Sequence, residues 1–341
     1  MTSIPLDKVV LAIDVGGSTS RASLVDVSGR CLGAGRNRGG NPGSNPPEQA
    51  ADAIIAAAQA AVADAGGKHD IAVALLAMAG PRINAAQARM EAAFRDLGLT
   101  GDLIYTGDLN ALLPSVTAAT SGYCIVCGTG AGAVRVREGT IESVVDAAGY
   151  LLGDLGSGYW LGHQAAIAVT AALEHRGPAT TLTKSVLDQL GIAMDSDQVV
   201  DGRSLPLRRF IDAIYTMRPI ELARFAPLVL ANRDDNIAGE LLVQSERYLL
   251  ANFQKVFDPD MPGPVVLGGG IIAHLTGLPA ALGEVIRAAG REPDIRLSGD
   301  GSVGAIVLAL RAIGVTVDEA MVKAIAASVV LRAPRQTASP T

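Results

Sequence analysis

Apolar and polar positions between Lys8 and Asn37 follow a strand period and predict three short strands. VVLAID is a continuous apolar run, RASLVDV alternates, and CLGAGRN follows the turn DVSGR. The turn-formers of GGNPGSNPPE predict a loop. The Ala-rich stretch Glu48–Ala63 has helical character and closes at Gly66–Gly67, a helix stop signal. IAVALLAM reads as a buried strand and NAAQARMEAAFRDLG as a helix. DLIYTGD is a strand that ends on Asp108, and NALLPSVTAA opens a helix. Residues 1–118 therefore read as three antiparallel strands, then helix, strand, helix, strand, helix.

The same order begins again after residue 119. YCIVCGTGAGAVRVREGTIESVV predicts three strands, with GTGAG turning between the first two. A Gly-rich stretch, GYLLGDLGSGYW, leads into a helical insert expected from Leu161 to about Phe257. VVLGGG is a short buried strand, HLTGLPAALGEVIRAAG a helix, DIRLSG a strand and GSVGAIVLALRAIG a helix. The expected division is a first domain of residues 1–118, joined by a C-terminal helix at about 315–330, and a second domain of 119–314. Residues 331–341 are polar without periodicity and are expected to be a disordered tail. Strand, glycine turn and strand recur at 9–25 and 123–136, a weak internal duplication. Two such α/β units facing one another would form a cleft, where ligands usually sit.

Composition narrows the classes. The 341 residues are 49% hydrophobic but only 4% aromatic, so two cores must be built mainly from Ala, Val, Leu and Ile. A net charge of −6 and the lack of any basic stretch argue against nucleic-acid binding. The N-terminal MTSIPLDKVVLAID has an acid where a signal peptide has basic residues, and no apolar run approaches the ~18 residues of a membrane span. Three cysteines are too few for a disulfide framework. A cytoplasmic protein, with no nucleic-acid or membrane partner, is expected.

The two turns carry the candidate chemistry. Asp14-Val15-Gly16-Gly17-Ser18-Thr19 and Gly128-Thr129-Gly130-Ala131-Gly132 each join two strands. Glycines let the backbone approach a ligand, and successive N–H groups hold anions. A plain hairpin explains one such turn, whereas two at matching places in a duplicated unit favour phosphate binding. No GxxxxGK[ST] is present, and a strand rather than a helix follows GTGAG, so neither a Walker loop nor a dinucleotide fingerprint applies. Asp14 ends a buried strand, where Mg²⁺ beside phosphates would balance its charge; the alternative is a capping Asp satisfied by turn amides. Asp108 is either a helix N-cap or a base that accepts a hydroxyl proton. Cys124 and Cys127 stand three apart in a strand and so face opposite sides, which favours packing over a shared metal. The histidines are scattered, and His163 and Trp160 read as packing residues.

The order DVGGSTSR, TGDLNAL, VCGTGAG, GYLLGDLGSGYWLG, VVLGGG and GSVGAIVLAL resembles the sugar kinase, Hsp70 and actin superfamily. Within it, the chain resembles the N-acetylglucosamine kinase and BadF/BadG-type ATPase family, over nearly its whole length. The resemblance implies two duplicated ribonuclease H-like domains around an ATP cleft. It implies phosphate loops at Gly16, Gly17, Ser18 and Thr19 and at Gly128, Thr129 and Gly130, and an adenosine pocket lined by Gly268, Gly269, Gly270, Gly301 and Ser302. Asp14 would hold Mg²⁺ through water. Asp108 would take the proton of the sugar's 6-hydroxyl, and Asn41, Asp108, Thr129, Gly130, Gly149 and Asp154 would touch the sugar. ATP and Mg²⁺ are the implied cofactors, and a homodimer is the implied assembly. The expected activity is phosphorylation of an amino sugar or hexose, first N-acetylglucosamine. Glucosamine, N-acetylmuramic acid or glucose, or an ATPase that activates a partner protein, are the alternatives. Leu155 stands where the family usually has Glu, and Ala131 where it usually has Ser. The lost carboxylate at 155 tilts the expectation away from a free amine on the substrate.

Overall fold

A computed structural model describes residues 8–17, 19–43, 45–78, 80, 86–194 and 198–332. The chain divides into two compact units, one of Met1–Gly122, Val136–Thr140 and Ser298–Thr341, the other of Tyr123–Arg135 and Ile141–Leu297.

In the first unit, strands β1 (Val9–Val15), β2 (Thr19–Asp26), β3 (Cys31–Arg38), β4 (Ile71–Met78) and β5 (Leu99–Gly107) form one sheet in the order β3-β2-β1-β4-β5. β1 runs antiparallel to β2 and parallel to β4. The apolar runs of β1, broken only by Asp14, and of β4 follow from burial on both faces. Val9, Leu11, Ile13 and Val15 pack with helix α1 (Pro47–Asp64) and α2 (Gln87–Asp96), whereas Val10 and Ala12 pack with α10 (Gly301–Ala312) and α11 (Glu319–Arg332). α1 lies directly on β3: a Cβ on Gly33 or Gly35 would stand 2.1 Å from the carbonyl oxygens of Ala61 or Ala57. The Ala-rich face of α1 thus meets glycines. The short helix α3 (Asp108–Leu112) follows β5.

The second unit repeats this order. Its sheet runs β12-β11-β6-β7-β8, built from β6 (Gly122–Cys127), β7 (Ala131–Arg137), β8 (Thr140–Asp146), β11 (Val265–Gly268) and β12 (Ile295–Leu297). β11 is parallel to both β6 and β12, as β4 is to β1 and β5. Between β8 and β11 come α4 (Gly158–Leu173), α5 (Leu182–Gln189), α6 (Leu205–Tyr215), α7 (Ala226–Ala231) and α8 (Asn236–Val256). A small strand pair that the periodicity does not reveal, β9 (Val199–Val200) with β10 (Arg203–Ser204), interrupts them. α9 (Leu278–Ala288) precedes β12. Tyr123 is fully buried, with its hydroxyl 2.9 Å from the carbonyl oxygens of both Asp258 and Met261.

One boundary needs correction. The sequence order assigns GSVGAIVLALRAIG to the second domain, but α10 belongs to the first unit. Ala305, Ile306, Val307, Ala309 and Leu310 are all fully buried against the second face of the β1–β4 sheet. A helix this apolar needs a sheet to cover, and chain order does not say which one. The helix of α11 continues through Leu331 and Arg332, into the stretch expected to be tail; 333–341 lie outside the described residues.

Candidate active site

The first unit gathers three acids at one place. Strand alternation puts Asp14 on the same side of β1 as Val10 and Ala12, the side covered by α10. The antiparallel register sets Arg21 directly opposite it. Arg21 Nη1 lies 3.4 Å from Asp14 Oδ2 and 3.8 Å from Asp300 Oδ1. Asp300 caps α10, with its Oδ1 accepting from the Ser302 amide at 2.9 Å and the Ser302 hydroxyl at 2.7 Å. Gly301 passes so close that a Cβ there would stand 2.9 Å from Asp14 Oδ2.

Burial pushes the Asp14 carboxyl up to about 6; Arg21 opposes this, and the charges of Asp300 and Asp108 reinforce it. Among the described residues, the partner of this carboxylate is Arg21. A hard divalent cation would relieve the same electrostatic cost, and Mg²⁺ needs only one or two carboxylates when phosphate and water complete its shell. Asp14 fits that requirement. Among the described residues no group of three or more His, Cys, Asp or Glu could hold a metal alone.

The glycine turn is tight, with the Gly16 amide donating to the Thr19 carbonyl at 2.9 Å. Ser18 lies outside the described residues. The Asn41 amide donates to the Gly16 carbonyl at 3.3 Å, which ties the Asn41 loop to the turn. Asn41 Oδ1 accepts from the Gly43 amide at 2.7 Å and closes its own loop, leaving Nδ2 as the donor side.

Asp108 is the first residue of α3, after the cap residue Gly107, and its Oδ1 accepts from the Leu109 amide at 3.0 Å. Burial raises its proton affinity, and the bonds to the Leu109 and Asp108 amides oppose the shift. A cavity of about 140 Å³, lined by Met78, Gly80, Tyr105, Thr106 and Gly107, opens at the ends of β4 and β5, next in sequence to Asp108.

In the second unit the turn after β6 is fixed from three directions. The Gly128 amide donates to the Gly130 carbonyl at 2.9 Å. The amides of Gly158 and Tyr159, opening α4, donate to the carbonyls of Gly128 and Thr129 at 2.7 and 3.1 Å. Gly269, with φ 103°, follows β11 so closely against β6 that a Cβ would stand 2.4 Å from the Cys127 carbonyl. Asp154 is buried, with Oδ1 accepting from the Ala131 amide at 3.1 Å, and burial raises its pKa. A Cβ on Gly130 would touch both Asp154 oxygens at 3.0 Å. The Gly149 carbonyl accepts from the Gly153 amide at 2.8 Å and closes the loop that delivers Asp154.

Asp14, Asp108, Asn41 and the Gly16–Thr19 turn therefore belong to the first unit, together with Gly301 and Ser302. Gly128, Thr129, Gly130, Gly149, Asp154, Gly268, Gly269 and Gly270 belong to the second. Cys124 and Cys127 are buried on opposite faces of β6, with both thiols pushed up to about 12 by burial. His163 stacks on Tyr159 at 5.7 Å and Trp160 meets Tyr248 edge-on at 5.5 Å. Sequence reasoning missed Arg21 and Asp300. The first follows from the β1–β2 register, and the Asp-x-Ser step before α10 is a cap signal for the second.

Two α/β units of one strand order, each with a glycine turn between its first two strands, define the duplicated ribonuclease H-like, actin-like class. Residues 11–309 match the BadF/BadG/BcrA/BcrD ATPase family, and the chain belongs to that family. It is 27% identical over 218 residues to an N-acetyl-D-glucosamine kinase of Dictyostelium discoideum, covering 61% of this chain and 65% of that one. It is 25% identical over 198 residues to an N-acetylmuramic acid/N-acetylglucosamine kinase of Clostridium acetobutylicum, covering 56% and 63%. The chain thus spans slightly under two thirds of the length of these relatives. In fold it is similar to a Chromobacterium violaceum protein provisionally named an N-acetylglucosamine kinase, with a TM-score of 0.67 at 24% identity, over 89% of this chain and 99% of that one. A Streptomyces griseus glucokinase of the ROK family, solved with glucose and AMPPNP, gives a TM-score of 0.53 at 20% identity over the same shares. At these identities the structural likeness concerns the fold.

No helix among the described residues is long and apolar enough to cross a membrane.

Proposed function

We propose that the protein is an ATP-dependent kinase of an amino sugar or hexose, acting at the 6-hydroxyl, with N-acetylglucosamine the leading acceptor. The observation that carries this reading is the pair Asp14 and Asp108. Both are acids with raised proton affinity in one unit, yet among the described residues only Asp14 of the two is paired with an arginine. That difference divides the labour.

Asp108 is the base. It starts a helix beside the cavity at the ends of β4 and β5, a place for an acceptor hydroxyl. As the sugar oxygen bonds to the γ-phosphorus, its proton passes to Asp108, and the bond from that phosphorus to the bridging oxygen breaks to leave ADP. A proton affinity above that of an ordinary carboxylate suits this role. Asp14 would hold Mg²⁺, which supplies charge neutralisation to the phosphates when bound. The amides of the Gly16–Thr19 and Gly128–Gly130 turns bind phosphate oxygens, and Gly268–Gly270 leave room for the nucleoside. Gly301 and Ser302 flank Asp14 and Asp300; we assign them to the metal and phosphate side, because the Ser302 hydroxyl is held by Asp300.

Asn41, Thr129, Gly130, Gly149 and Asp154 recognise the sugar. Asp154 is the acid there, while Leu155 is 41% exposed and offers no charge. One buried acid suits hydroxyls or an acetamide better than a free amine, and this supports N-acetylglucosamine over glucosamine. The names of the Dictyostelium and Clostridium relatives support the same acceptor class.

A screen of glucose, glucosamine, N-acetylglucosamine, N-acetylmuramic acid and N-acetylmannosamine with ATP and Mg²⁺ tests the reading by ADP release. N-acetylglucosamine is expected to stimulate most. Stimulation by none would replace it with the partner-activating ATPase reading.

A further inference from the structure

Asp146 closes β8 in the left-handed region at φ 65°, and Ala147 follows at φ 54°. Such backbone is costly for any residue with a Cβ, although Asp tolerates it better than most. What accompanies the cost is a set of three donors on one carboxylate. Asp146 Oδ1 accepts from the Asp154 amide at 2.6 Å. Oδ2 accepts from the Leu155 amide at 3.1 Å and from Asn252 Nδ2, on α8, at 3.2 Å. Gly153 passes so close that a Cβ would stand 2.2 Å from Asp146 Oδ1.

These bonds close a ring. The Ala131 amide donates to Asp154 Oδ1, the Asp154 amide donates to Asp146 Oδ1, and the Ala147 amide returns to the Ala131 carbonyl at 2.9 Å. Asp154 is itself left-handed, at φ 57°. Its side-chain direction therefore depends on how its own amide is held, and Asp146 holds it.

We propose that Asp146 is a positioning residue for acceptor recognition: by gripping the Asp154 and Leu155 amides, it sets where the Asp154 carboxylate stands against the Gly128–Ala131 turn. This rests on the sugar-kinase reading above. Asp146 does not touch the sugar, so its effect passes wholly through Asp154.

The test is a double-variant cycle on the KM for whichever sugar the wild type phosphorylates. Asp146→Asn keeps a residue that tolerates left-handed backbone but turns an acceptor oxygen into a donor. It is expected to raise the sugar KM about tenfold, the scale of a lost hydrogen bond to a charged group, with a smaller effect on kcat. Asp154→Asn is expected to raise it further. The combination should match Asp154→Asn alone, because Asp146 then has nothing left to position. KM effects that multiply in the combined variant would assign Asp146 a merely structural role and overturn the proposal, as would an unchanged KM in Asp146→Asn. If Asp146→Asn does not fold, Asn252→Ala removes one donor and leaves the strained backbone alone. It is expected to raise the sugar KM about twofold in the wild type and not at all beside Asp154→Asn. A multiplying effect again overturns the proposal. A wild type that phosphorylates no sugar fails the sugar-kinase reading itself, and the positioning role falls with it.

Discussion

A methyl group on Gly304 would lie 1.7 Å from the carbonyl oxygen of Ala111. Helix α10 thus rests directly on α3, the short helix that Asp108 begins. Gly304→Ala must push the two apart. The expected cost is about 1–3 kcal/mol of stability, the usual range for an overfilled contact. A lower urea midpoint should come with a lower kcat, because the base moves with α3. An unchanged kcat beside a reduced midpoint would show that Asp108 does not depend on this contact.

Asp14 makes stability depend on pH. Its folded-state pKa, about 6, lies above the unfolded value of 3.8, so the folded protein holds the proton more tightly. This contribution is fully present below the unfolded pKa and is lost as pH rises through the folded one. Asp14→Asn should therefore be more stable than wild type at pH 7.5 without divalent metal, by about 3 kcal/mol at most. The difference should vanish near pH 3.5. Urea midpoints in chelator at both pH values check this, and an equal difference at the two would refute it. The same variant should lose stabilisation by Mg²⁺ and ATP.

Asp300 can be separated into a cap and a charge. Asn caps a helix as well as Asp does, whereas Ala costs about 1 kcal/mol. Asp300→Asn should keep the α10 cap, lower the Asp14 pKa by removing a neighbouring negative charge, and shrink the stability lost between pH 4 and 7. Asp300→Ala should shrink it equally but start from a less stable protein. Denaturation series across that range distinguish the two.

Asp108→Asn removes the base without changing shape. A 10²–10⁴-fold fall in kcat is the expected scale for a general base. Because burial raises the Asp108 pKa, the acid limb of the wild-type rate profile should lie above the ordinary carboxylate range. Sugar-dependent ADP release at wild-type rate in the variant would remove Asp108 from the chemistry.

Much of this could be read from residue order. VVLAID and IAVALLAM announce strands buried on both faces, and the two glycine turns announce the repeated unit. Partners set by register or by distant chain could not be read. Arg21 meets Asp14 only because β1 and β2 pair as they do, and Asp300 arrives from the far end of the sequence. Asp146 looks like any polar strand end, since nothing in DAAGYLLGD reveals a left-handed backbone. The apolar α10 could have covered either sheet, and only the packing assigns it.

The contact between α1 and β3 has a consequence for how this protein can change. Four helical residues advance about 6 Å, and two strand residues about 6.6 Å. Ala57 and Ala61 therefore mesh with Gly35 and Gly33 like teeth of matching pitch. The mesh locks the helix against sliding along the sheet. It also couples the mutational histories of the two elements: a side chain gained on β3 must be answered by a displaced α1, and neither can drift alone. Low aromatic content in this layer is then a tolerance on thickness, set by backbone meeting backbone.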